Sequence, residues 1–445
     1  TGEWDVWNWV FEEINVHGED YCETGISKCG EGAEEDFIMN CIDNHLISST
    51  ECVGGCSDSR GEVFCMSCFD TAQDPIPLCS CGDLQRMSED VTANYKLQND
   101  IDCSKTVNWD DGDGGDAEGF NPIRFSGVFD GQDHIIRDLY INRPDRDYIG
   151  LFGRSDNTIS DVGIDGGDIK GMNYVGGLVG MNQGRISSSY AIVDVSGDSY
   201  VGGLAGLNDQ GVISSSYASE SVSGRYSVGG LVGGNERGSI FFSYGFGSVS
   251  GNNRVGGLVG NTFQGSISSS YSLGSVSGRY SVGGLVGLNE GGGSISSSYA
   301  IVDVSGDSYV GGFAGNNHHG FISSSYGSGS VSGNNHVGGL IGLKNRGSTS
   351  SSFWNTDSSG MSSSAGGEGK TTAQMKDQST YPDTWDFTNV WAIDVNVNEG
   401  YPYLQPIQIN EPECNKEDLK CGEGAEEDFL TICVDKTLRS FECVM

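Results

Sequence analysis

The sequence predicts an all-β protein organised around a parallel β-helix, a β-solenoid of about 27-residue coils, with small disulfide-rich modules at both ends. Three observations predict it. A string of the type V-G-G-L-V-G begins at Val175, Val201, Val228, Val255, Val282, Val310 and Val337, at intervals of 26 to 28 residues. A serine-rich tract follows each string and ends in an aromatic residue, at Tyr190, Tyr217, Tyr244, Tyr271, Tyr299, Tyr326 and Phe353. All 14 cysteines lie outside these repeats. A fixed period of this length marks a solenoid, because one such unit cannot bury its apolar face without a neighbour.

Residue types decide the kind of solenoid. The apolar runs, such as Val175-Gly-Gly-Leu-Val179 and Ile213-Ser-Ser-Ser-Tyr217, are too short and too rich in glycine for helices, so strands joined by turns are expected. A degenerate copy, Ile149-Gly-Leu-Phe-Gly153, precedes Val175 by 26 residues and makes eight turns. About three short strands per coil, stacked at roughly 4.8 Å, would turn valine, leucine and isoleucine inward as ladders and leave serine and glycine at outward or cramped positions. Asn182, Asn208, Asn235, Asn289 and Asn317 recur at one coil position. They form either an amide ladder along the axis or a row of residues suited to left-handed turns. The recurring tyrosines read as a core ladder, with an exposed carbohydrate-stacking row as the alternative.

At these residues the chain resembles the GLUG-motif repeats of bacterial surface and secreted proteins. The lead-in Tyr95-Lys-Leu-Gln-Asn-Asp-Ile-Asp102 and the stretch from Phe125 to Ile141 are similar to segments that precede such repeats. Ser352-Phe-Trp-Asn-Thr-Asp357, Thr371-Thr-Ala-Gln-Met375, Trp385-Asp-Phe387 and Gly400-Tyr-Pro-Tyr-Leu404 resemble the usual close. The resemblance covers about residues 83 to 405 and implies the architecture. It implies less about function, since the motif accompanies adhesins, large surface proteins and some secreted zinc peptidases. The peptidase association fails at the metal site, because the chain holds no H-E-x-x-H.

Charge and cysteine usage bound the setting. The formal net charge is −37, yet residues 149–353 carry 12 acidic and 9 basic residues, leaving −34 for the two ends. So acidic an exterior argues against nucleic acid and suits calcium, high solubility or a basic partner. Disulfide candidates are Cys22, Cys29, Cys41, Cys52, Cys56, Cys65, Cys68, Cys79, Cys81, Cys103, Cys414, Cys421, Cys433 and Cys443, which points to an oxidising, extracellular compartment. The rival is a zinc site at Cys52, Cys56, Cys65 and Cys68. No run of 18 apolar residues offers a membrane span. The start at Thr1 fits removal of a secretory signal.

In chain order, residues 1–21 form an aromatic N-terminal segment. Trp4, Trp7, Trp9 and Phe11 are its candidates for packing or subunit docking. Residues 22–82 form a cysteine-rich module, 83–148 the lead-in and cap, 149–353 the repeats, 354–410 a closing segment and 411–445 a second four-cysteine module. The two modules share the string C-G-E-G-A-E-E-D-F, from Cys29 and from Cys421. Matched ends could cap the open strand edges or act as a polymerising joint. Asp111, Asp113 and Asp116 form a weak calcium candidate that lacks the EF-hand glutamate. Ala191–Gly203 recurs unchanged as Ala300–Gly312, a block duplication that favours length over a unique pocket. The aromatic cluster Trp385, Phe387, Trp391, Tyr401 and Tyr403 is expected to close the core.

Paired carboxylates for hydrolysis are not evident. Asp194 and Asp303 stand four turns apart, roughly 19 Å, beyond a glycosidase pair. Asp198, Asp307, Arg225, Arg254 and Arg279 are scattered, and His318-His319 reads as an exposed turn. No enzyme activity and no catalytic residue are expected, and no N-x-S/T sequon is present. The expected function is a secreted structural protein that self-associates through its terminal modules into a homopolymeric fibre. The alternatives are a monomeric adhesin that binds glycans and, behind it, a polysaccharide-degrading enzyme.

Overall fold

The computed structural model describes residues 69–109 and 117–405, together with strands assigned between Ser27 and Cys65 and between Lys420 and Glu442. It divides into units 1–70 and 71–445. In the first unit, Ser27–Cys29, Phe37–Ile42 and His45–Glu51 form an antiparallel sheet, and Cys56–Ser59 pairs with Glu62–Cys65.

The second unit is built on a parallel β-solenoid. One coil consists of Asn173–Gly176, Val179–Asn182, Arg185–Ser187 and Tyr190–Ser196, each in its own sheet. Four strands per coil replace the expected three. The extra corner arises inside the V-G-G-L-V string, where Gly177 lets the chain turn; a Cβ there would sit 2.5 Å from the Gly203 carbonyl oxygen. The four sheets, here called the valine, asparagine, serine and tyrosine sheets after the residue each carries, hold 7, 9, 11 and 13 strands, two of the last lying off its main path.

Coils stack in register, Val175 on Val201, Asn182 on Asn208, Ile186 on Ile213 and Tyr190 on Tyr217. Val175, Leu178, Val179, Ile186, Ala191, Val193 and Val195 are each at most 1% exposed and fill the interior. All of these columns but that of Val193, which gives way to Glu220, Gly247 and Gly274, continue through the coils above, so the apolar face of one coil is covered by its neighbours.

The N-terminal end closes on aromatic side chains. Phe125, Phe129 and Phe152 are buried, with centroids 5.0 to 6.5 Å apart. The helix Cys81–Arg86, capped by the Ser80 side chain, brings fully buried Leu84 to this end, and Met87 comes directly after it. A disulfide ties Cys81 to Cys103. The first strand of the serine sheet, Ile76–Leu78, lies within the span assigned from sequence to the cysteine-rich module.

The C-terminal end is closed by Trp354 and by residues 361–370, not by the aromatic cluster further on. Trp354 stacks on Gly327 in an inward column that from Ala191 on is made of Ala218, Gly245, Ser272 and Ala300, and it fits because its neighbours Gly327, Gly339 and Gly369 carry no side chain. The Ser364 hydroxyl accepts from the Leu340 and Ile341 amides, and Glu368–Lys370 pairs with Phe353–Asn355. Residues 371–405 then cover the outer face of the tyrosine sheet.

Candidate functional site

Three ladders run along the solenoid, and the outermost is the candidate surface. The amide ladder is real. Asn182 Nδ2 donates to Asn208 Oδ1 at 2.7 Å, Asn208 to Asn235 at 2.8 Å, and Asn289 to Asn317 at 3.0 Å, all fully buried. Thr262 interrupts it, and the Thr262 hydroxyl and Asn289 Oδ1 have no partner. Turn glycines make room: a Cβ at Gly238 would lie 2.2 Å from Asn208 Nδ2 and 2.6 Å from Asn235 Oδ1.

The second ladder is made of serines at a cramped inward position, one of the two expected for them. Ser189, Ser216, Ser243, Ser270, Ser298, Ser325 and Ser352 are at most 2% exposed. Each hydroxyl donates to the carbonyl two residues before it, at 2.7 to 2.8 Å, and accepts the backbone amide from the equivalent residue one coil earlier. These serines satisfy backbone donors at a corner where the sheet pairing lapses.

The tyrosines form the third ladder, on the outside rather than in the core. In Tyr190–Ser196, Ala191, Val193 and Val195 are buried while Tyr190, Ile192 and Asp194 face outward. Rings from Tyr190 to Tyr326 stack at 4.8 to 5.2 Å with planes within 7° of parallel. Because each ring's faces are taken by its neighbours, the row offers solvent its edges and hydroxyls, which removes the face-on stacking a sugar requires. Burial pushes the phenols up, Tyr271 to about 12, so they stay protonated.

The C-terminal part of this row is covered. Tyr299, Tyr326 and Phe353 pack with Met375, Tyr381, Trp385, Trp391 and Tyr401, so the predicted aromatic closure covers a sheet face instead of the core. Tyr326 Oη donates to the Pro402 carbonyl at 2.7 Å and accepts from Asn398 Nδ2, and Trp385 Nε1 donates to the Ser351 carbonyl at 2.8 Å. Beyond the cover, Tyr190, Tyr217 and Tyr244 remain partly exposed, alongside Ile192 and Phe246, while Tyr271 and Leu273 lie half-buried at its edge.

The charged candidates act as local staples. Asp194 and Asp303 accept the Ser221 and Ser330 amides, and the Ser330 hydroxyl, then its amide, hold the Asp303 carboxyl below its ordinary range. Arg225 pairs with Asp198 at 3.0 Å and Arg279 with Asp307 at 3.4 Å, each across one coil step. His318 and His319 pack ring against ring, and His319 is exposed. Arg254 occupies a left-handed corner position, φ 58°. Among the described residues no three His, Cys, Asp or Glu side chains group as metal ligands, and no helix is long and apolar enough to cross a membrane.

Cys79, Cys81 and Cys103 are disulfide-bonded. The side chains of the remaining cysteines, of Trp4, Trp7, Trp9 and Phe11, and of Asp111, Asp113 and Asp116 lie outside the described residues.

Comparison with known proteins bears on the repeats. The GLUG motif matches residues 197–223, 251–277 and 278–305. Halomucin from Haloquadratum walsbyi is 34% identical over 131 residues, which cover 26% of this chain and 1% of halomucin. Among solved structures, a candidate immunoglobulin A1 protease from Bacteroides ovatus aligns with TM-score 0.41 and 18% identity, covering 76% of this chain and 94% of that one. Three stretches of this parallel β-helix thus match the GLUG motif, and the neighbouring coils stack on them in the same register.

Proposed function

We propose that this is an extracellular structural protein in which a laddered solenoid spaces two matched terminal modules, and that these modules join copies head to tail into a surface or extracellular fibre. The observation that carries the reading is the matching strand pairing around the cysteines of the two modules, although the first carries a β-bulge between Ile38 and Met39 that the second lacks. In the first, Cys29 pairs with Ile38 and Cys41 with Leu46; in the second, Cys421 pairs with Leu430 and Cys433 with Leu438. Capping alone does not require matched ends, whereas a repeated joint uses them.

The last coil also argues that copies do not join by stacking coil on coil. Lys344 stands in the asparagine column and Thr349 in the isoleucine column, so the final strands present a charge and a hydroxyl where a further coil would need an amide and a methyl group. Joining then falls to the terminal modules. The Cys81–Cys103 disulfide and the likeness to halomucin support the extracellular reading. We read the solenoid as non-enzymatic and without a required cofactor, Asp194, Asp198, Asp303 and Asp307 being engaged in coil-to-coil bonds. Electron microscopy of the purified protein under oxidising conditions tests this. Linear objects longer than one molecule are expected; discrete single particles at high concentration would overturn it.

A further inference from the structure

We infer that the uncovered part of the tyrosine sheet is a lateral contact surface for a second copy of this chain. This goes beyond head-to-tail joining and does not depend on it. The surface consists of two outward columns, Tyr217, Tyr244 and Tyr271 beside Ser219, Phe246 and Leu273, with Phe246 52% exposed. It continues an interface that already exists: Tyr271 and Leu273 touch the cover of residues 371–405 on one side and open surface on the other. The protein therefore buries this face wherever its own chain reaches it, and the chain described to Gln405 leaves the preceding coils bare.

Two features single out a second copy as the occupant. The first is period. Rings stacked at 4.8 Å make a ridge whose repeat is set by strand spacing, and where the chain's own irregular cover of residues 371–405 does not reach, a stack of strands with the same repeat can match it step for step. A second copy meets this at any whole-coil offset. The second is charge. Copies carrying −37 each repel, yet between Tyr217 and Ser277 the outward positions of this sheet hold one charged group, Glu220, and otherwise serine, glycine and apolar side chains. The third column of outward residues, Ser221, Ser248 and Ser275, is bounded at its two ends by Asp194 and Asp303, which confine close approach to the middle coils. Three coils form a small patch, below the roughly 800 Å² per partner of a stable dimer, so a single contact is weak and gains strength where many copies lie side by side.

Hydroxyl-radical footprinting of the full chain across a range of protein concentrations tests the inference. Tyr217, Tyr244, Phe246 and Leu273 are expected to lose most of their reactivity as concentration rises, while Phe321 and Tyr226, exposed on other faces, keep theirs. In F246D/L273D, which alters only outward side chains, sedimentation should show no lateral pairing. Stripe protection without elongation supports this inference and overturns head-to-tail joining; elongation without stripe protection does the reverse. Protection already complete at the lowest concentration would overturn the inference in favour of cover from within the chain. Protection that tracks added polysaccharide instead of protein concentration would overturn it in favour of a glycan.

Discussion

Replacing Thr262 with asparagine should stabilise the protein, against the usual direction of a core substitution. Thr262 is fully buried at the one step where the amide ladder breaks between Asn235 and Asn289. Below the break, Asn235 Nδ2 donates only to the Gly238 and Ser266 carbonyls at 3.3 and 3.2 Å, whereas Asn208 has an amide oxygen above it at 2.8 Å. Above it, Asn289 Oδ1 is orphaned. The space exists, because Gly265 occupies the turn position that admits an amide in the other coils. T262N would accept from Asn235 and donate to Asn289, and each new bond contributes about 0.5–1.5 kcal/mol net, for a gain of about 1–2 kcal/mol after the lost methyl contacts. T262V is the control: it removes the unpaired hydroxyl but leaves Asn289 orphaned, so it should gain less. Urea melts monitored by tryptophan fluorescence, with amide exchange in the coils from 228 to 299, measure both. If T262N is no more stable than T262V, the ladder does not contribute as argued.

Single sites elsewhere carry their own expected outcomes. G256A places a Cβ 2.1 Å from the Val259 carbonyl oxygen and 2.7 Å from the Gly287 amide, both backbone, and should cost at least about 1–3 kcal/mol in the same melts. Cutting the Cys81–Cys103 bridge with the C81S/C103S pair reopens a loop with sequence separation 22 and should lower stability by about 3 kcal/mol, with exchange rising first at the N-terminal end. Burial raises the Asp161 carboxyl to about 6, opposed by the Ser160 hydroxyl and reinforced by Asp130 and Asp133. The folded state therefore holds this proton more tightly than the unfolded chain, and stability falls as pH rises from about 4 through 6. D161N removes that dependence: its advantage should be largest above pH 6 and vanish below about pH 4 in paired thermal melts.

The period, the parallel stacking, the aliphatic ladders and the asparagine row are legible in the sequence because each shows as one residue type recurring at one interval. The corners are not. In Ile213-Ser-Ser-Ser-Tyr217, simple alternation puts Tyr217 on the same face as Ile213, hence in the core. Ser215 instead adopts φ 48°, with its equivalents between 44° and 54°, and that left-handed residue shifts the phase by one. Ser216 turns inward and Tyr217 outward, the same consequence as a one-residue register slip. A serine at a left-handed φ carries no glycine to announce it, so the signal is hidden. The same phase shift displaces Trp385 and Trp391 from the core-closing role expected of them, because the tyrosines they cover stand outside. Trp354 is invisible to the period alone, since only the stacking register shows that it stands in a column of small residues.

The spacer claim is tested most directly by removing coils. Deleting residues 201–309 joins Tyr200 to Val310, and because Ala191–Gly203 and Ala300–Gly312 are identical, the junction keeps its native sequence. Four coils leave the column, which shortens it by roughly 19 Å at the stacking distance of parallel strands. Cryo-electron microscopy of assembled wild-type and shortened protein should show an axial repeat smaller by that amount, with the joints unchanged. An unchanged repeat, or assembly lost while the shortened chain remains folded, would contradict the claim that the solenoid sets the distance between its matched ends.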